Sequence, residues 1–177
     1  SGFGLSEPSL DSQAASIKPL LDQYAGRKII IIGHSYGGPV VCKMAMKYSD
    51  QVGGLLIVAG SIDPALEPKE AWRKPADRAI FRWLFPRAMV SSNQEIMKLK
   101  SELSNMENDW GQINSATMVL QGTKDNLVPP GNADYAEEKI TNSKYLKIYR
   151  LEGINHFIPF TYEQYIIDAL FELKDQI

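Results

Sequence analysis

The sequence predicts an α/β fold, a mostly parallel sheet flanked by helices, and three observations carry that expectation. Apolar runs rich in β-branched residues recur at 28–32 ("KIIII"), 53–60 ("GGLLIVAG"), 117–122 ("TMVLQG") and 145–153 ("YLKIYRLEG"). The segments between them repeat their apolar residues every three or four positions, as helices do. Strand and helix therefore alternate through most of the chain, the pattern of parallel strands joined by helical crossovers.

The first element is a helix. Over residues 9–25, Leu10, Ala14, Ile17, Leu21 and Tyr24 fall 4, 3, 4 and 3 apart on one helical face, and Gly26 closes it. Lys28 to Ile32 follows as a strand expected to be buried on both faces, because a half-exposed strand would alternate with polar residues. Gly33 ends that strand, and Val40, Val41, Met44, Ala45 and Tyr48 begin a helix almost at once. Residues 53–60 supply the second strand. The stretch 62–111 then breaks the alternation, with Pro64, Pro68, Pro75, Pro86 and all three tryptophans. It holds two helical patterns. The first covers about 76–85, with Ala76, Ile80 and Trp83 opposite Arg78 and Arg82. The second opens on Ser92 and Glu95 as a capping box and lines up Ile96, Leu99, Leu103, Met106 and Trp110. The expected division is an α/β core from 1–61 and 112–177 with a helical cap inserted at 62–111. "PPGNADYAEEKI" predicts a helix between the last two strands. Thr161 and Gln164 read as the capping box of a final helix whose stripe is Tyr162, Ile166, Ala169, Leu170 and Leu173.

Composition narrows the function. Of 177 residues, 44% are hydrophobic and 23% charged, the profile of one globular domain with a sizeable core. Nineteen Lys and Arg against 21 Asp and Glu leave a net charge of −2, which gives no broad attraction to nucleic acid or anionic membranes. No apolar run approaches the roughly 20 residues of a membrane span. The single cysteine, Cys42, makes neither an internal disulfide nor a Cys-rich metal site, so a reducing, cytoplasmic location is expected. With Met44 and Met46, it reads as core packing.

The chemistry gathers around "IIIIGHSYGGPVV", residues 29–41. A strand that turns sharply into a helix with serine at the apex lifts that hydroxyl to the sheet's carboxyl edge. Gly33 and Gly37, two residues either side of Ser35, are expected to let the backbone pass closely, and Gly38 to let the helix approach. The amide of Tyr36 falls at the helix N-terminus, where the dipole favours an anion, so it is the expected oxyanion donor. A serine needs an imidazole to take its proton, and the imidazole needs a carboxylate to orient it. The chain has two histidines. His34 adjoins the serine and points away from it, a structural position, which leaves His156 in "EGINHF" as the base. Asp125 in "QGTKDNLVP" is the expected acid, with Asp63 as a fallback; Asp109 and Asp134 read as surface charges. Phe157 and Pro159 are expected to hold the histidine loop, with Phe157 also placed to line an acyl pocket.

"GHSYGG", "GTKDNLVP", "GINHF" and the opening "SGFGLSEPS" together resemble the α/β-hydrolase superfamily, more narrowly its small capped serine hydrolases and esterases. The opening is similar to the family's glycine-rich loop after the fourth strand. The resemblance implies that "KIIII" is the family's fifth strand and that strands one to four lie outside this chain. The fifth pairs with the third in that family. An edge beside residues 28–33 is therefore expected to be covered by roughly 80 to 110 upstream residues, or by self-association. The family's second oxyanion donor follows the third strand, so no residue here is assigned that role.

The expected function is hydrolysis of a small or medium carboxylic ester through an acyl-enzyme on Ser35, without metal or organic cofactor. Serine in this position argues against the aspartate-based dehalogenases and epoxide hydrolases that the chain otherwise resembles. Thioester, amide or carbon–carbon cleavage and acyl transfer could use the same residues, and a non-catalytic binding module is the rival of another class. A base that must be neutral predicts activity rising with pH through roughly 6 to 7, the ordinary imidazole range.

Overall fold

The computed structural model describes residues 9–67 and 92–177. Four strands, β1 (Ile29–His34), β2 (Val52–Val58), β3 (Ala116–Gly122) and β4 (Leu146–Leu151), form one parallel sheet in the order β1-β2-β3-β4. Parallel neighbours cannot be joined by a tight hairpin, and each link here carries a helix. Helix α1 (Leu10–Asp22) precedes β1, α2 (Gly37–Lys47) links β1 to β2, α3 (Ser92–Met106) lies between β2 and β3, and α4 (Gly131–Lys139) links β3 to β4. A single turn, α5 (Ile158–Thr161), and α6 (Glu163–Lys174) follow β4.

The period-2 alternation of the strands divides the core in two. Ile31, Leu55, Ile57 and Val119 face a layer built by α1, α2, α3 and α4. Leu56, Val58, Met118, Leu120 and Leu151 face the other way, onto Ala169 and Leu173 of α6. β2 and β3 thus have helices on both faces, which is why their sequences are almost continuously apolar. Leu99, Leu103 and Met106 of α3, with Trp110 in the 3-10 turn beyond it, pack into the first layer. The described part of the 62–111 segment is in this way continuous with the main core. The helix expected at 76–85 lies outside the described residues, as do the glycine-rich opening and the side chains of Ser92, Glu95 and Ile96.

Three expectations are corrected. β1 is not buried on both faces: Ile29 and Ile30 are half-buried and Ile32 is 44% exposed, because among the described residues β1 pairs with β2 alone. Helix α1 stops at Asp22, and the chain leaves it through turns in which Tyr24, Ala25 and Arg27 each bond three residues back. Tyr24 is consequently exposed, and Gly26, at φ +83°, shapes that turn and not the helix end. The Thr161–Gln164 capping box does not form either. Thr161 closes α5, Tyr162 breaks the helix at φ −137° and ψ 47°, and Gln164 bonds Asp168 instead.

Candidate active site

Ser35 sits at the apex of the turn between β1 and α2 with φ +56°, a left-handed conformation that a non-glycine residue adopts at a cost. The neighbouring backbone holds it there. Its N–H donates to Val58 O at 3.0 Å, and its carbonyl accepts from Gly38 N at 2.9 Å and Ser61 N at 3.2 Å. Beyond Ser61 the loop is fixed from inside: the Ser61 hydroxyl donates to the buried Glu67 carboxylate, and Asn132 Oδ1 accepts from the amides of Ile62 (2.8 Å) and Asp63 (2.9 Å).

Two of the three glycines are sterically required. A Cβ on Gly33 would lie 2.3 Å from Gly37 O, and one on Gly38 would lie 2.7 Å from Gly60 Cα. Gly38 thus admits the loop after β2 as well as its own helix. Gly37 departs from expectation, since a Cβ there would meet no atom within 4 Å. Tyr36 is the N-cap of α2, so its amide stands at the helix N-terminus, while its hydroxyl accepts from Gln13 Nε2 at 3.0 Å.

Asp125 and His156 meet although 31 residues separate them. Both are buried, and His156 Nδ1 lies 2.8 Å from Asp125 Oδ2. A carboxylate accepts, so Nδ1 carries a proton, and in the neutral ring the lone pair is on Nε2. Backbone contacts lock the two loops together. Lys124 N donates to Ile154 O at 2.9 Å and Thr123 N to Leu151 O at 3.0 Å, and a Cβ on Gly122 would sit 2.3 Å from Ile154 O. The second carboxylate oxygen of Asp125 accepts from the amides of Leu127 (2.9 Å) and Val128 (2.8 Å). Burial works to raise the pKa of Asp125. His156 and those amides outweigh it and hold the carboxyl below its ordinary value.

Two further residues, not expected at the site from the sequence, contact this pair or its loops. Gln121 is buried on β3, and its amide Nε2 lies 3.3 Å from Asp125 Oδ2 and 3.2 Å from Val128 O. Both partners are acceptors, so the side-chain nitrogen must face them. A glutamine at the end of a largely apolar strand, next to the acid loop, is a readable signal. His34, set aside as structural, places Nε2 3.0 Å from His156 O with the two rings 4.7 Å apart. Among the described residues, no hydrogen bond joins Ser35 Oγ to His156; the strand end and the histidine loop meet through His34.

The other carboxylates lie elsewhere. Asp63 accepts from Ala65 N at 2.7 Å in a local turn, Asp109 bonds Lys43 and Gln112, and Asp134 pairs with Arg150. Phe157 meets the His156 ring in a T-shaped contact, with centroids 5.7 Å apart. Cys42 is wholly buried, which pushes its thiol pKa far up. Among the described residues no cluster of His, Cys, Asp or Glu is placed to hold a metal ion, and no helix is long and apolar enough to cross a membrane.

A family model described as alpha/beta hydrolase fold matches residues 1–89. The chain is similar to a monoacylglycerol lipase from Paleococcus ferrophilus at a TM-score of 0.71 and 18% identity, covering 96% of this chain and 76% of that one. It is similar to a predicted CIB-like hydrolase from Thermoplasma acidophilum at 0.59 and 21%, covering 94% and 60%. A bromoperoxidase from Bacillus anthracis follows at 0.67 and 18%, covering 98% and 77%. The chain spans three-fifths to three-quarters of these structures, and identities this low establish the fold alone. No curated protein matches the sequence.

Proposed function

Because the chain belongs to the alpha/beta hydrolase family, we propose that it carries the nucleophile, base and acid of a serine hydrolase acting on a small or medium carboxylic ester. The observation that carries this reading is the pairing of His156 with Asp125 in one fixed tautomer, at the sheet edge where Ser35 is held at φ +56°. In the proposed reaction Ser35 Oγ attacks the ester carbonyl carbon while His156 Nε2 takes the hydroxyl proton. The carbonyl oxygen, now negative, is met by the Tyr36 amide at the start of α2. Collapse breaks the acyl carbon–oxygen bond, and His156 returns the proton to the departing alcohol. A water, deprotonated by the same imidazole, then attacks the acyl carbon; the bond to Ser35 Oγ breaks, His156 returns the proton to that oxygen, and the carboxylic acid leaves. Asp125, kept ionised by His156 and its amide donors, stabilises the imidazolium in both halves.

A fluorophosphonate probe on the intact protein tests this. Labelling that maps to Ser35 and vanishes in Ser35→Ala is the expected result. A well-folded protein that takes no label would favour the binding module. Esters of graded chain length then define the substrate, since the fold hosts many specificities.

A further inference from the structure

We propose that His34 is a positioning residue for this reaction: its imidazole clamps the main chain of His156 to the strand that carries Ser35, and so sets the approach of base to nucleophile. The inference rests on the hydrolase reading for its catalytic meaning, and on geometry for the clamp itself.

His156 is gripped at two points from two different strands. Asp125, in the loop after β3, holds its ring through Nδ1 at 2.8 Å. His34, on the last position of β1, reaches its carbonyl oxygen at 3.0 Å. A carbonyl only accepts, so the proton of His34 is on Nε2. Burial lowers the pKa of His34, so its neutral form, with Nδ1 as a lone pair, is the one favoured. The ring is also wedged, with its centroid 4.7 Å from that of His156 and 6.0 Å from Phe160, which meets it edge-on.

The two grips do different jobs. The bonds from Lys124 and Thr123 and the Asp125 contact tie the histidine loop to the acid loop. None of them reaches the end of β1 that carries Ser35. The His34 bond does, because His34 and Ser35 are consecutive and Ser35 is itself held by Val58 and Ser61. Without the clamp, the histidine loop loses its hold on the strand that carries Ser35, so His156 is free to shift away from the serine and water gains access to its contact with Asp125. A displacement of about 1 Å in such a constellation costs on the order of 10²-fold in rate.

The test compares His34→Gln, His34→Asn and His34→Leu in the full-length protein, with folding checked by near-UV circular dichroism. Glutamine places an N–H donor near the position of imidazole Nε2; asparagine is equally polar but too short. Two readouts are taken: the rate of fluorophosphonate labelling at Ser35, and the downfield NMR proton of His156 Nδ1–H. His34→Gln should label within about threefold of wild type, and His34→Asn and His34→Leu at least about tenfold more slowly. The NMR proton should stay sharp in wild type and His34→Gln and broaden by water exchange in the other two. The Asn–Gln contrast decides the matter even where the leucine variant fails to fold. Equal labelling rates and equally sharp protons in folded His34→Asn and His34→Gln would overturn the clamp while leaving the hydrolase reading intact. A wild type that takes no label, but shows the NMR pattern, would overturn the hydrolase reading and leave the clamp.

Discussion

The sheet has two margins, and they are finished differently. β4 carries Lys147 and Arg150 among its apolar residues, and both margin charges are tied down. Glu172 of α6 accepts from Tyr145, Lys147 and Tyr149, while Arg150 bridges Asp134 and Glu137 of α4. β1 opens with four isoleucines, carries no charge before His34, and leaves Ile32 44% exposed beside a row of backbone groups without a strand partner among the described residues. Helix α6 repeats the asymmetry. Its Glu172 turns toward β4, whereas its Ile167 and Phe171 are 41% and 64% exposed. Lysines, arginines and short length are how proteins blunt a true edge; a bare isoleucine strand is composed like an interior one. We propose that β1 is an interior strand of the whole protein, covered by the N-terminal strands that the sequence leads one to expect.

The largest effect should come from breaking the bare margin. Produced as these 177 residues alone, the protein should self-associate, and Ile32→Lys should lower its weight-average mass by at least about twofold in sedimentation. A mass equal to the single chain before the substitution would show that β1 needs no neighbour, and would sink the proposed cover. In the full-length protein the same lysine should be destabilising, since it would then be buried.

The guarded margin offers a smaller and sharper test. Glu172→Gln should cost about 1–2 kcal/mol in denaturant unfolding, the worth of charge-assisted bonds in a partly exposed setting. Lys147 and Tyr145 hold the Glu172 carboxyl down at about 2 from an ordinary 4.5. A depressed carboxylate pKa stabilises the fold above the ordinary value and loses that contribution as pH falls. The gap between wild type and variant should therefore be full above pH 4.5 and close as pH falls toward 2. A gap that widens on acidification would refute the ion pair's role. Smallest of all, Arg150→Ala should change stability by less than about 0.5 kcal/mol, because its ion pairs are exposed and screened.

Much of this architecture was legible beforehand, for a physical reason. Ile31, Leu55 and Val119 lie in runs whose local pattern already says strand, and the Ser35 turn is written in adjacent glycines. Asp125 and His156 were legible because each follows a strand, and parallel strands deliver their ends to one edge. Tyr24, the Thr161–Gln164 box and Gly37 were misread. At each, a local preference competed with a backbone path set elsewhere: the turns after α1, the extra turn of α5, and open space beside α2. His34 and Gln121 were passed over because their roles depend on what faces them across the sheet edge.

Local chemistry along the chain was therefore enough to specify which of the described segments become strands and helices, where the serine turn falls, and that Asp125 and His156 each follow a strand. Periodicity and turn preference act over a few residues, and those features need no more. The exposure of β1, the burial of Gln121 beside Asp125 and the contact of His34 with His156 came from the packed fold. Each is a relation between residues distant in sequence, created when β1 and β3 carry them to the same edge of one sheet.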